Sequence, residues 1–201
     1  MDGLTARLVS RNPNKLAELQ AALPGWEIEL IDADEHPAEE GETYYENARA
    51  KAEFGRKIAG DAWMIGEDSG IEVEGLAGGP GVLSARFAGP GEDPVQKLLF
   101  RLDGVTGRGR EARYVCELVA LSPAGDEFRA TGILRGRIAE EARGSEGFGY
   151  DPVFVPEGEE RTVAELGNAW KREHSHRALA AQALLTAVEN ASEDADGVVD
   201  D

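Results

Sequence analysis

A single cysteine, Cys116, stands in the whole chain. That excludes an internal disulfide and any cysteine-rich metal site, and its place in an apolar run suits a small buried hydrophobe. Positive charge is also scarce: 21 Lys and Arg face 39 Asp and Glu, for a formal net charge of −18. A surface of that sign repels polyanions, so neither nucleic acid nor an anionic membrane is expected as a main partner. Any phosphate the protein holds must be met by a few cations placed locally. Among those cations only Lys15, Lys51, Lys57, Lys97 and Lys171 are lysines, and acid excess with so little lysine is the composition expected of adaptation to high salt. No apolar run approaches the roughly 18 residues of a membrane span, and the amino terminus lacks a charged-then-apolar leader. Internal repeats are absent as well. The expectation is a soluble, cytoplasmic protein.

With 201 residues, 41% of them hydrophobic, the chain can bury a sizeable core as one large domain or two small lobes. Leu4 to Ser10 reads as a first strand, Leu16 to Leu23 as a helix ended by Pro24-Gly25, and Trp26 to Ile31 as a second strand. An acidic stretch to Glu42 then leads into a helix from Thr43, with Thr43 placed to cap it and Glu46 three residues on. Asp93 to Leu102 carries the stripe of an amphipathic helix. Ala112 to Leu121 and Glu127 to Ile138 flank the turn residues Ser122 to Asp126, a hairpin that implies a mixed rather than parallel sheet. Ala178 to Val188 is a last apolar-faced helix, and Glu189 to Asp201 is acidic, apolar-poor and expected to be disordered.

Gly66-Glu67-Asp68-Ser69-Gly70 draws the eye because it sets two acids between glycines straight after the apolar Ala62-Trp63-Met64-Ile65. Read as a turn, it would expose two carboxylates at the carboxyl edge of a sheet, where open α/β folds hold ligands. An ordinary acidic turn is the plainer alternative. Ser10, Asn12 and Lys15 sit at a strand-to-helix junction, where unpaired N–H groups and the helix dipole can cradle phosphate oxygens. The Walker pattern is not there, and Asn14 as a cap with Lys15 in solvent is the structural alternative. Lys51 shares a helical face with Tyr44, Ala48 and Ala52, where a lysine either snorkels outward or serves a ligand. Phe148-Gly149-Tyr150-Asp151-Pro152-Val153-Phe154 supplies aromatics for a core cluster or for stacking a nucleobase, with Asp151 as an acceptor beside the ring.

Five segments in order, Ser10-Arg11-Asn12-Pro13-Asn14-Lys15, Glu46-Asn47-Ala48 with Lys51, Asp68-Ser69-Gly70, Phe148-Gly149-Tyr150-Asp151-Pro152 and Ser175-His176-Arg177, resemble the inosine triphosphate pyrophosphatase family. The resemblance covers about Leu4 to Val188. It implies a two-lobed α/β domain over residues 1–188, with a long mixed β-sheet flanked by helices and a central substrate cleft, commonly as a homodimer. It further implies a Mg2+-dependent hydrolase cutting ITP, dITP and XTP between the α and β phosphates, which clears deaminated purines from the nucleotide pool. On that reading Asp68 is the catalytic carboxylate and a metal ligand, with Glu39 or Glu40 and Glu67 completing the metal shell. The acidic spelling before Glu46 departs from the family's, so Glu39, Glu40 and Glu42 stay open as ligands. Ser10, Asn12, Lys15 and Lys51 would hold phosphates, Ser69 with Gly70 would turn backbone N–H groups toward the substrate, and Phe148, Gly149, Tyr150, Asp151, Lys171, His176 and Arg177 would form the base site. Arg177 is the expected donor to the 6-oxygen that separates hypoxanthine and xanthine from adenine. Two other readings are a Maf-like pyrophosphatase acting on pyrimidine or modified nucleotides, and a nucleotide-binding module without turnover.

Overall fold

The computed structural model describes residues 4–196. β1 (Leu4–Val9) runs into α1 (Pro13–Ala22) and then β2 (Trp26–Leu30). Asn12, not Asn14, caps α1: its side chain accepts from the Asn14 N–H at 2.9 Å, and Pro13 supplies a first helical residue with its φ already set. α2 (Tyr44–Ile58) starts on the capping box that Thr43 and Glu46 predict. α3 (Pro94–Arg101) is capped by Asp93.

One six-stranded sheet has the order β2-β1-β3-β4-β5-β6, where β3 is Trp63–Val73, β4 Glu111–Leu121, β5 Glu127–Ile138 and β6 Phe154–Pro156. β1 pairs parallel with both β2 and β3, while β6 pairs antiparallel with β5. The Ser122 to Asp126 turn closes on itself, Ser122 N–H donating to the Asp126 carbonyl at 2.9 Å. So short a link joins neighbouring strands only as a hairpin, and the sheet is mixed as expected.

β3 corrects the reading of its own middle. It passes unbroken through Gly66 to Gly70, so the two acids lie inside a strand rather than on a turn at its end. Gly66 is there for close approach, because a Cβ would run into the backbone of Ala48 and Ala52 on α2. A strand sends successive side chains to opposite faces, which separates Glu67 from Asp68.

The chain forms two compact units: the first takes the chain up to Asp68, Glu117–Gly132 and the chain from Arg177, and the second takes Ser69–Cys116 and Ile133–His176. In the first, Val9, Ile31, Met64, Val119 and Leu121 pack with Ala48 and Ala52 of α2. In the second, Ile71, Val73, Leu98, Leu102, Tyr114, Val153 and Phe154 share a core. One helix lies where no element was expected, and one helical boundary differs from expectation. α4 (Val163–His174) opens on a second capping box, Thr162 with Glu165, and is interrupted by Gly167 at φ 86°. That glycine breaks the apolar period that would reveal the helix. α5 (His176–Asp196) continues past Val188 through most of the segment expected to be disordered, and residues 197–201 lie outside the described residues. Among the described residues no helix is long and apolar enough to cross a membrane.

Candidate active site

In the first unit, the even-numbered face of β3 presents Asp68 to α2. Asn47 and Lys51 stand one helical turn apart on that helix and reach the same carboxylate. Asn47 Nδ2 donates to Asp68 Oδ2 at 3.1 Å, and Lys51 Nζ to Oδ1 at 3.0 Å. The Lys51 ammonium donates also to the Glu67 carbonyl at 2.9 Å and pairs with Glu39. Three acceptors use its three N–H bonds. Lys51 is thus a buried connector between two carboxylates, not a snorkelling surface lysine.

The charges shift one another as their positions require. Burial lifts the Asp68 carboxyl above the ordinary aspartate value, and the neighbouring Glu67 and Glu39 charges add to the rise while Lys51 opposes it. Burial works against the Lys51 ammonium, but Asp68, Glu67 and Glu39 outweigh it, so its pKa is raised. Of the three glutamates left open before Glu46, only Glu39 is brought to this cluster by a contact of its own side chain; Glu40 and Glu42 are exposed.

Glu67 faces the other way and meets cations of its own. Lys15, at the start of α1, lies 2.5 Å from its carboxylate, and Arg177 of α5 donates to it at 2.8 Å while also pairing with Glu18. Burial alone would raise the Glu67 carboxyl, but Lys15, Arg177 and Lys51 hold it well below the ordinary glutamate range. A metal at Glu67 would have to displace that pairing. Arg177, expected to read the base, has its guanidinium engaged by Glu67 and Glu18 and is 1% exposed. Ser10 accepts from the Asn12 N–H at 3.1 Å, so these two form the bend that leads into α1.

The second unit assembles a different group. Asp151 Oδ2 accepts from Lys171 Nζ at 2.6 Å and from the Phe148 N–H at 2.7 Å. This places the Lys171 ammonium 4.0 Å from the centroid of the Phe148 ring. Gly149, at φ 62°, lets the chain turn between the aromatic residues. Tyr150 points its hydroxyl at the Ser84 carbonyl, 2.9 Å away, and burial pushes that hydroxyl up to about 12. His176 stacks on Tyr114 with ring centroids 4.6 Å apart and planes 9° from parallel. Ser69 continues β3 beyond Asp68. Asn47 lies in the quoted Glu46-Asn47-Ala48 segment without a role of its own, although its place one turn before Lys51 on the same helical face is a signal for one; Tyr114 carries no such signal in the sequence.

Among the described residues no three His, Cys, Asp or Glu side chains gather into a ready-made metal cluster. Glu39 and Asp68, joined through Lys51, offer two hard carboxylates, a donor set that fits Mg2+.

The model of the Ham1 family matches residues 6–187. The chain is 40% identical over 188 residues to a dITP/XTP pyrophosphatase of Bdellovibrio bacteriovorus, covering 89% of this chain and 94% of that one. It is 38% identical to the dITP/XTP pyrophosphatase of Bacillus subtilis, covering 92% and 96%. Among solved structures, a HAM1 protein from Coxiella burnetii superposes with a TM-score of 0.82 at 34% identity, covering 93% of this chain and 99% of that one. The Staphylococcus aureus Ham1 protein gives a TM-score of 0.82 at 33% identity, with the same coverage.

Proposed function

The chain belongs to the Ham1 family, and from that premise we propose that it hydrolyses ITP, dITP and XTP to the nucleoside monophosphate and pyrophosphate, clearing deaminated purines from the nucleotide pool. The observation that carries this reading is the buried Asp68–Lys51 pair with the partly buried Glu39 on the same ammonium, in a chain whose relatives are named dITP/XTP pyrophosphatases. A binding module would need the cation but not a carboxylate whose pKa is raised by burial.

Hydrolysis at phosphorus requires an aligned water and neutralised charge more than covalent help. Asp68 orients the water and takes its proton. The water oxygen bonds to the α-phosphorus, the α–β anhydride bond breaks, and pyrophosphate leaves with the electron pair. Lys51 and Lys15 supply positive charge to the phosphates, with the Ser10–Asn12 bend and Ser69 adding polar contacts. Mg2+, when bound, neutralises phosphate-oxygen charge, and Asp68 and Glu39 are the residues that would hold it. Glu40 and Glu67 recede from that role, the first by exposure and the second by its cations.

The base falls to Phe148, Gly149, Asp151, Lys171 and His176. Phe148 offers a stacking face, and Lys171, oriented by Asp151, is a buried donor for a 6-oxygen. Arg177 would serve the base only by leaving Glu67 and Glu18. A donor that adenine cannot satisfy gives stronger discrimination than pocket shape alone.

A homodimer in the cytoplasm completes the reading, with exposed Leu83 and Phe100 of the second unit offering apolar surface to a second copy. Light scattering that returns a monomer mass removes that part. For the activity, the full chain is incubated with Mg2+ and, separately, ITP, dITP, XTP, GTP, ATP or UTP, and products are separated by chromatography. Pyrophosphate and monophosphate should come chiefly from the first three. Release of single phosphate, or preference for ATP, contradicts the proposal; preference for UTP favours the pyrimidine-directed alternative, and binding without turnover favours the binding module.

A further inference from the structure

Asn47 is 2% exposed, and both ends of its amide are used. Nδ2 donates to Asp68 Oδ2 at 3.1 Å, and Oδ1 accepts from the Gly41 N–H at 2.8 Å. The orientation is dictated by its partners: reversing the amide would set C=O against a carboxylate and NH2 against N–H. Gly41 lies two residues after Glu39, so the amide ties the segment carrying one carboxylate to the strand carrying the other. The approach is as close as glycine permits, since a Cβ at Gly41 would sit 2.7 Å from Asn47 Oδ1 and 2.8 Å from Glu46 Cβ.

Lys51 joins the same two carboxylates, but a lysine assigned to the phosphates is drawn away from them when substrate arrives. Asn47 is uncharged and has no such competing partner. It also stands on a fixed base, because Glu46 accepts from the Glu42 and Thr43 N–H groups at 2.8 and 3.0 Å and so pins the residues between Gly41 and α2.

We infer that Asn47 is the positioning residue that holds the Glu39 segment and Asp68 in one geometry while Lys51 turns to the substrate. This rests on the proposed hydrolytic function and goes beyond it by assigning the geometry of the reacting carboxylates to a neutral amide.

The test uses the full chain and the variants Asn47→Ala, Asn47→Asp, Gly41→Ala and the double Asn47→Ala/Gly41→Ala. Asn47→Asp keeps the acceptor for Gly41 but replaces the donor facing Asp68. Misplacing a catalytic group through its support costs roughly 10- to 100-fold, so both Asn47 variants should lose kcat on XTP by that amount, with KM changed less than about threefold. The two Ala changes act through one bridge, so the double variant should be no slower than the slower single. A rise in KM at unchanged kcat, or multiplying losses in the double, overturns the assignment.

Hydrogen exchange at the Gly41 amide reads the tether without activity: protected in the parent, fast in Asn47→Ala and protected again in Asn47→Asp. An amide equally protected in Asn47→Ala overturns the inference on its own. If the parent chain makes no pyrophosphate from ITP or XTP, the functional reading fails, and the exchange pattern still decides whether Asn47 holds the Glu39 segment.

Discussion

Glu67 and Asp68 are neighbours of the same charge on the same strand, yet they do opposite things. Glu67 points toward Lys15 and Arg177 and is held ionised far below its ordinary range. Asp68 points toward Asn47, Lys51 and Glu39, and its carboxyl is held above its ordinary range, chiefly by burial. The first is a satisfied internal counter-ion. The second is a carboxylate kept basic, which suits a proton acceptor and costs stability.

That contrast is open to direct attack. The largest effect should follow from Asp68→Asn, which keeps the shape and removes the proton acceptor. Turnover of XTP should fall roughly 10²- to 10⁴-fold, the usual contribution of a positioned general base, while nucleotide binding by calorimetry stays close to the parent's. Because the folded-state pKa of Asp68 is raised, its ionised form opposes folding at neutral pH. The variant should therefore melt no lower than the parent; an active or markedly destabilised Asn variant would erase the difference between the two acids.

Glu67→Gln should do the reverse and cost stability, on the order of 3 kcal/mol for breaking a buried pair by removing one partner, read as a lower denaturant midpoint at pH 7. The sign with pH follows from the depressed folded-state value. Its contribution is present above the ordinary glutamate pKa of 4.5 and is lost as pH falls through the lower folded value. Acid titration of the parent should show that loss below pH 4.5, and the Gln variant should lack it. Equal stability of the two proteins at pH 7 would mean that Glu67 is not the counter-ion its contacts make it.

The smallest expected effect lies in the second unit. Phe148→Ala should weaken nucleotide binding by about 1 to 3 kcal/mol if the ring stacks on a base, raising KM with little change in kcat. An unchanged KM would return Phe148 to a packing role beside Lys171.

Much of this arrangement was legible in the residues. Thr43 with Glu46 announced α2, the Ser122 to Asp126 turn announced a hairpin, and Lys51 on an apolar helical face marked a cation with somewhere to go. Other features were hidden for identifiable reasons. Gly66 has the look of a turn residue, but close packing demands a small residue as readily as a turn does, and only the nearness of Ala48 separates the two causes. α4 was masked by Gly167, although Thr162 and Glu165 carried the same capping signature as α2. Which of Glu39, Glu40 and Glu42 reaches Lys51 depends on a contact across twelve residues of chain that no local pattern encodes.

By itself, the sequence determined the ingredients of the site: two adjacent acids, few cations, and an amide and a lysine one helical turn apart. Which acid would be neutralised and which kept basic was decided only by the tertiary structure. An ionisable group's pKa depends on burial and on the charges within a few ångströms. Those charges come from α1, α2 and α5, helices far apart in the chain and brought to the two faces of β3 only by folding.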